Sequence, residues 1–413
     1  MPLEIEQIRR QFPALARVED GRAVAYFDGP AGSQVPQRVI DAVSQHLTWH
    51  NANRGAAFAS SRESDAILNA AHQSVADFLG AADPGEVAFG ANMTSLTFAF
   101  SRALAKRWRA GDEVIVSRLD HDANFTPWVL AARDAGAIVH EIPIHLPEGR
   151  LDLDHYRALL NERTRLVAVG YASNLSGTVN PVEEMVAAAH KVGAVTFIDA
   201  VHFAPHRLID VTKIGCDVLA CSAYKFFGPH VGILWGRRAL LESIEPYKLR
   251  PAPDALPGRW MTGTQNHEGI AGTAAAIEYL ADIGRRDSTV TKSRREALSI
   301  AFGEIEAHEN RIFAPLLHAI AQRADFQVWG PRDVADMADR VPTLSITHQR
   351  FTPRELAEYF ARRGLWTWAG NHYAVPFSEA AGLEPHGTLR IGLLHYNTAA
   401  EVERLLQAID ELP

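Results

Sequence analysis

Two neighbouring segments decide the fold, FIDAVHFAPH at residues 197–206 and LACSAYKFFGPHVGILWG at residues 219–236. Asp199 ends one strongly apolar run and Lys225 follows the next, so both are expected at the carboxyl ends of adjacent strands, where parallel α/β sheets bind ligands. Aromatic neighbours exclude solvent from Lys225, which lowers the pKa of a lysine and frees its amine for Schiff-base chemistry. Alternatively, Lys225 snorkels and Asp199 caps a helix, but their occurrence together with Ser222 favours a site.

Short β-rich runs recur on both sides of these segments, and helical patterns separate most of them. The runs lie at 86–90, 113–117, 138–144, 165–173, 194–200, 218–224 and 232–236. One helical pattern covers 65–80 with Ser64 or Asp65 as its N-cap, and another covers 181–193 with Pro181 at its start. Strands that alternate with helices predict an α/β fold with a mainly parallel sheet covered on both faces.

The character of the chain changes after about residue 262. Charged helical stretches there lead to short strands at 343–348 and 388–394. The change predicts a large domain over 21–262 and a smaller C-terminal α+β domain over 263–413. Residues 1–20 are expected to pack against the small domain.

Composition and charge argue against several classes of protein. Of the 413 residues, 47% are hydrophobic and 22% are charged, which is ordinary for a globular protein with a large core. The formal net charge of −8 gives no reason to expect nucleic acid as a partner. The N-terminus lacks the apolar stretch of a signal peptide, and no segment approaches the roughly 18 apolar residues that cross a bilayer. We therefore expect a cytoplasmic protein that binds no membrane.

Familiar nucleotide and metal motifs do not explain the two deciding segments. The sequence contains no G-x-G and no GxxxxGK[ST], which removes the dinucleotide fingerprint and the P-loop. Its only cysteines, Cys216 and Cys221, form no CxxC pair and are expected to be buried. The remaining candidates at 119–124 and 202–206 match no ligand pattern, so no metal is expected.

A resemblance to a known family extends over nearly the whole chain. Its motifs, in the expected order, are YFDGPAGSQVP (26–36), NANRGAAF (51–58), EVAFGANMTSL (86–96), GDEVIVSRLDHDANFTPW (111–128), YASNLSGTVNPV (171–182), the Asp199–Lys225 block and MTGTQNHEGIA (261–271). Together they resemble the pyridoxal 5′-phosphate (PLP) enzymes of the class V aminotransferase group, fold type I, and especially the cysteine desulfurase and selenocysteine lyase branch. The resemblance implies a PLP cofactor, an amino-acid substrate, and a homodimer with active sites at the subunit interface.

The resemblance also implies roles for single residues around the cofactor. Lys225 would bind PLP covalently and later act as the base that moves the Cα proton. Asp199 would pair with the pyridinium nitrogen and keep the ring an effective electron sink. His202, in place of a family Gln, and Asn174 would both reach the 3-hydroxyl.

The phosphate and the substrate are assigned to separate groups. The helix that starts near Thr94 favours an anion at its N-terminus. The implied phosphate contacts are Met93, Thr94, Ser222, Tyr224 and, from the other subunit, Thr264. The implied substrate contacts are Arg390 for the carboxylate, Arg54 from the other subunit, Asn124 and His372. An ordinary strand-end ion pair is the alternative for Arg390, although a planar fork suits a carboxylate.

The sequence departs from the family at two places. The histidine that stacks on the cofactor ring corresponds to Asp122, unless the register shifts and His121 takes that role. The nucleophilic cysteine corresponds to Tyr373 in TWAGNHYAVP (367–376), and the preceding arginine corresponds to Trp368. Because no cysteine follows Cys221, a mobile thiolate that could accept sulfur is missing.

These departures predict a PLP enzyme that is not a persulfide-forming desulfurase. The main hypothesis is a C–S β-lyase that acts on an S-substituted cysteine conjugate, with Asp122, His372 or Tyr373 handling the leaving group. An aminotransferase is the nearest alternative, followed by a decarboxylating deaminase, and racemisation stays open. A non-catalytic binding protein that keeps the fold is the least favoured reading.

Overall fold

The computed structural model describes residues 3–286 and 292–413. The helices of this part of the chain are α1 Ile5–Arg9, α2 Gln37–Trp49, α3 Ala59–Leu79, α4 Met93–Ala105, α5 Thr126–Ala135, α6 Leu153–Leu159, α7 Val182–Lys191, α8 Val211–Ile214, α9 Arg238–Ser243, α10 His267–Arg285, α11 Arg294–Ala321, α12 Pro353–Ala361, α13 Val375–Ala380 and α14 Ala399–Asp410.

The strands of the same residues form one large sheet, one small sheet and short pairs. They are β1 Val18–Glu19, β2 Arg22–Ala23, β3 Ala25–Tyr26, β4 Val87–Gly90, β5 Glu113–Ser117, β6 Ile138–Ile142, β7 Ile144–His145, β8 Arg150–Leu151, β9 Thr164–Gly170, β10 Val195–Asp199, β11 Val218–Ser222, β12 Gly232–Gly236, β13 Phe326–Trp329, β14 Thr343–His348, β15 Leu365–Trp366, β16 Trp368–Gly370 and β17 Thr388–Gly392.

The large sheet contains all seven of the predicted β-rich runs. Its order is β4-β12-β11-β10-β9-β5-β6, and β12 alone runs antiparallel to the other six strands. Strands β5, β9, β10 and β11 are almost wholly buried, as expected for a sheet covered by helices on both faces. The predicted α/β fold with a mainly parallel sheet is confirmed.

One predicted helix start is wrong. Helix α3 begins at Ala59, not after Ser64 or Asp65, and its N-cap residue Phe58 makes no side-chain capping bond. The apolar spacing marks only the packed part of the helix, and the first turn is mostly exposed, so the pattern could not reveal it. The helix ends as its sequence predicts, at Gly80, which adopts φ 71°.

The small sheet has the order β13-β14-β17-β16 and packs against α11, α12 and α14. Strand β15 pairs in parallel with β3 in a separate two-stranded sheet, and a bridge from Asp28 to Gly392 of β17 ties the start of the chain to the small sheet. Helix α10 packs against α2, α3 and α11. The domain boundaries at residues 20 and 262 stay a prediction, and residues 1–2 and 287–291 lie outside the described residues.

No helix in the described ranges is both long enough and apolar enough to cross a membrane.

Candidate active site

A pocket lies at the carboxyl ends of β9, β10 and β11, where the deciding segments meet. Its walls are Asn92, Met93, Thr94, Asp120, His121, Ala123, Gly170, Ala172, Asn174, Asp199, Val201, His202, Ser222, Tyr224 and Lys225. Parallel strands direct their C-terminal side chains to one edge, which explains why residues distant in sequence converge here. We call this space the cofactor pocket.

Lys225 lies buried in a tight turn directly after β11, anchored by the buried rings of Phe226 and Phe227. Its Nζ donates to the carbonyl oxygens of Pro30 and, at 3.1 Å, Ala31. Burial, together with the positive charge of nearby Arg390, lowers the pKa of Lys225 from 10.5 to about 7. The amine is therefore partly neutral at neutral pH.

This pKa predicts how the apoenzyme takes up PLP. Because only the neutral amine is nucleophilic, the rate of covalent capture should rise with pH with a midpoint near the Lys225 pKa of about 7, measured by absorbance in stopped flow. Arg390→Gln should move this midpoint upward, because it removes a repelling positive charge. A midpoint close to that of an exposed lysine would contradict the prediction.

Asp199 ends β10 and lies buried beside the lysine. Its Oδ1 accepts a hydrogen bond of 2.9 Å from the backbone N–H of Val201. Burial raises the pKa of Asp199, that hydrogen bond and the charge of Lys225 oppose the rise, and the net pKa is about 6. At neutral pH Asp199 is therefore a carboxylate, which is the group that would stabilise a protonated ring nitrogen of the expected cofactor.

Asp120 is a second buried acid in the cofactor pocket, and sequence reasoning missed it. It accepts hydrogen bonds from Ser117 Oγ and, at 2.7 Å, from Asn124 Nδ2. Burial, together with the negative charge of Asp199, raises the pKa of Asp120 to about 8 against the lowering effect of these hydrogen bonds. The available signal was an acid shortly after the apolar strand β5, the same pattern that revealed Asp199.

Asn124 lies behind Asp120 and does not line the pocket. Its Nδ2 binds Asp120 and its Oδ1 accepts from Trp128 Nε1 at 3.0 Å, so both ends of the amide are engaged. The prediction that Asn124 binds substrate is therefore corrected: in this structure it supports the acid.

The end of the pocket assigned to phosphate is formed by the start of α4. Asn92 caps the helix by accepting from Ser95 N at 2.8 Å, and Met93 and Thr94 begin it at the pocket wall. A Cβ on Gly232 would come within 2.3 Å of the Asn92 carbonyl carbon, so only glycine lets β12 approach this turn. Helix N-termini bind anions, which suits a phosphate.

Ser222 and Tyr224 line the same cofactor pocket. The Tyr224 ring stacks on His230 with centroids 4.9 Å apart and lies 4.9 Å from Lys225 Nζ. Burial raises the pKa of the Tyr224 hydroxyl, which keeps it a neutral donor.

The opposite wall holds His202 and Asn174. His202 Nε2 lies 2.9 Å from Thr343 Oγ1, and burial lowers the pKa of His202 well below its ordinary value, so the ring is neutral. Asn174 Nδ2 donates to the carbonyl of His372 at 2.7 Å, while its buried Oδ1 has no partner within the described residues. An orphaned amide oxygen facing a pocket is a group that a ligand would satisfy.

Arg390, on β17, is buried and donates from Nη1 to the Asn174 carbonyl at 2.8 Å. Burial lowers the pKa of Arg390 to about 9, an effect opposed by the charge of Asp28. Asp28 has a pKa raised to about 6 by burial, and its Oδ1 has no partner in the described chain. Sequence reasoning missed Asp28, although it lies within the quoted motif at 26–36.

The structure corrects which residue corresponds to the ring-stacking histidine of the family: it is His121 rather than Asp122. His121 lines the cofactor pocket, and burial lowers its pKa to about 4. Asp122 points away and accepts from Thr126 Oγ1 at 2.8 Å. The alternative register, with His121 against the pocket, therefore fits. A short helical turn begins at Asp122 directly after His121, so the two neighbouring side chains leave the backbone in different directions.

His372 and Tyr373 form the loop that faces His121. The His372 ring is buried with Nε2 3.1 Å from Thr388 Oγ1, so its side chain turns from the pocket. The Tyr373 ring is exposed and stacks on His121 with centroids 5.4 Å apart. Tyr373 thus reaches the mouth of the site, and His372 contributes only its backbone carbonyl.

Arg54 and Thr264 lie outside this subunit's cofactor pocket. Both line another cavity, and Arg54 is bound to Asp65 Oδ1 at 2.7 Å and Asn69 Oδ1 at 2.9 Å. Both residues line the same cavity, as the expectation that they serve a second subunit requires.

The sequence profile described as Aminotransferase class-V matches residues 25–405. The chain belongs to this family. It is 32% identical to a probable cysteine desulfurase of Vibrio cholerae over 99% of this chain and 98% of that protein. Among solved structures, the cysteine desulfurase CsdA of Escherichia coli superposes with a TM-score of 0.83 at 28% identity, over 99% of this chain and 98% of that chain. A cysteine desulfurase of Thermococcus onnurineus reaches a TM-score of 0.87 at 25% identity, over 100% of this chain and 98% of that one.

Class-V enzymes of this kind are PLP-dependent, and the cofactor pocket fits that cofactor. It offers a buried amine of lowered pKa on Lys225, a carboxylate on Asp199, a helix N-terminus at Met93 and an unpaired amide oxygen on Asn174. The predicted cysteine desulfurase-like PLP enzyme of fold type I is confirmed.

Proposed function

We propose that this PLP enzyme catalyses C–S β-elimination on an S-substituted cysteine, releasing a thiol, pyruvate and ammonium. The observation that carries the proposal is the position of the thiols. Cys216 and Cys221 are both fully buried, and burial raises the pKa of Cys216 to about 12 and raises that of Cys221 as well. A sulfur acceptor must be an accessible thiolate. Elimination needs no acceptor, because the sulfur departs into solution.

Each residue has a defined task in this proposal. The Arg390 guanidinium binds the substrate carboxylate, and Lys225 Nζ takes the proton from Cα. PLP, when bound, stabilises the negative charge that loss of this proton leaves on Cα. The Asp199 carboxylate would hold the ring nitrogen of the bound cofactor in its positive form, which supports that charge withdrawal.

The balance of atoms is simple. The Cβ–S bond breaks, the sulfur leaves with the electron pair, and the proton taken by Lys225 can return to it to give the free thiol. The remaining 2-aminoacrylate takes up water and yields pyruvate and ammonium. His121 and Tyr373 lie at the side of the pocket where the leaving sulfur would depart.

The test is a product assay with S-methyl- and S-benzyl-L-cysteine and purified holoenzyme. We expect thiol, pyruvate and ammonium in equal amounts. A requirement for a 2-keto acid acceptor would instead identify an aminotransferase, and CO2 release would identify a decarboxylating deaminase. Either result, or no product from either thioether, overturns the proposal.

Removing both cysteines should leave the reaction intact. Replacing Cys216 and Cys221 by Ala removes two buried sulfurs, at about 1 kcal/mol of stability each, but no group that the elimination uses. The initial rate of thiol release should stay within about twofold of wild type. Thermal unfolding of the double variant supplies the control for folding. Loss of activity in a folded double variant would show that a thiol takes part.

We also propose that the protein is a cytoplasmic homodimer. Both cysteines are free thiols, as is usual in a reducing compartment. Arg54 and Thr264 share a surface cavity away from their own subunit's Lys225, which is where residues that serve a second subunit would lie.

A further inference from the structure

A second cleft adjoins the cofactor pocket on the side of His121. Its outer walls are Phe98, Asp122, Thr126, Pro127 and Tyr373. It shares Thr94, His121 and Ala123 with the cofactor pocket, so the two spaces meet. We call it the side cleft.

We propose that the side cleft is the subsite for the sulfur substituent of the substrate, and that it selects uncharged aromatic substituents. This inference rests on the proposed β-elimination and specifies its substrate class. The cleft volume of about 330 Å³ is far larger than a methyl group requires. It is comparable to the smaller ligand sites of proteins, which are mostly apolar with few polar groups.

The wall made by Tyr373 is held in place by its backbone. The Tyr373 carbonyl accepts from Asp122 N at 2.7 Å, and its N–H donates to Asn371 Oδ1 at 3.1 Å. His372 and Tyr373 adopt φ 57° and 58°, a left-handed conformation that non-glycine residues rarely take without a compensating role. Tyr373 is 69% exposed although its backbone is fixed, so much of its aromatic surface stays open beside the stacked His121 ring.

The chemistry of the walls defines the occupant. His121 and Tyr373 stack with only 17° between their planes, and together with Phe98 and Pro127 they offer ring faces and apolar surface. Asp122 is the acidic residue among the walls, and Thr126 donates to only one of its oxygens. A benzyl-like group suits these walls, whereas a carboxylate would meet the charge of Asp122.

The test uses thioethers that lack the amino group and therefore cannot react. Holoenzyme is titrated calorimetrically with 3-(benzylthio)propanoate, 3-(methylthio)propanoate and 3-(carboxymethylthio)propanoate. We expect the benzyl compound to bind at least ~10-fold more tightly than the methyl compound. Tyr373→Ala and Phe98→Ala should each reduce this ratio severalfold, and Tyr373→Phe should preserve it. Asp122→Asn should strengthen binding of the carboxymethyl compound and leave that of the benzyl compound unchanged.

Tyr247→Ala is the matched control, because Tyr247 is also an exposed aromatic residue but lies 4.1 Å from Lys106 at the far end of α4. This variant should keep the wild-type ratio. Equal affinity of the benzyl and methyl compounds for wild type, or an unchanged ratio in both Tyr373→Ala and Phe98→Ala, overturns the subsite. The binding ratio does not depend on turnover, so a protein that discriminates in binding but releases no thiol would refute the proposed reaction and retain the subsite.

Discussion

Lys225→Ala is expected to abolish thiol release, with a loss of at least ~10³-fold, and to remove the visible absorption band of the lysine-bound cofactor. The reason lies in the make-up of the pocket. Lys225 is the buried amine of lowered pKa in the cofactor pocket, so no other group in that pocket can replace it as both attachment point and base. Rates are measured by pyruvate release, and the band by absorbance before and after borohydride.

Two controls separate chemistry from folding in this variant. Circular dichroism should match wild type, since within the described part of the chain the Lys225 side chain donates hydrogen bonds only to the carbonyls of Pro30 and Ala31. Added methylamine should restore part of the rate, because a small free amine can occupy the space and act as the base. A folded Lys225→Ala variant that keeps more than a tenth of wild-type activity would show that Lys225 is not the base.

Asp199→Asn is expected to lower the rate by at least ~10²-fold while covalent cofactor binding persists. Asparagine keeps the size of the side chain and can still accept from Val201 N, but it cannot hold a positive ring nitrogen by charge. The measurement is the turnover number together with the absorbance of the bound cofactor.

Asp120→Asn is the matched control for Asp199→Asn. Asp120 also lines the cofactor pocket, but its pKa is raised to about 8, so it is mostly protonated at neutral pH and its replacement changes little charge. We expect a loss of less than about tenfold. Equal losses in the two variants would contradict the distinct role of Asp199.

The residues that lie at strand ends, Asp199 and Lys225, could be predicted from the sequence. Asp199 and Lys225 each follow a strongly apolar run, and parallel pairing of β10 with β11 brings them together whatever the details of the loops. The same rule could have revealed Asp120, which comes three residues after β5.

What could not be predicted depends on loop geometry. The choice between His121 and Asp122 is decided by a single short helical turn, which no periodicity encodes. The charges of Asp28 and Arg390 interact although the two residues are more than 360 positions apart in sequence. The pairing of β3 with β15 and of β16 with β17 brings them together, and no local pattern predicts it. Two walls of the side cleft, Tyr373 and Asp122, are brought together by a backbone hydrogen bond between segments about 250 residues apart.

The measurement that most directly separates elimination from persulfide-forming desulfuration is the carbon product formed from L-cysteine, the simplest substrate with a Cβ–S bond, followed by NMR with ¹³C label together with the intact mass of the protein. Elimination predicts pyruvate and hydrogen sulfide, with no added sulfur on the protein. Alanine together with a protein persulfide on Cys216 or Cys221 would contradict it.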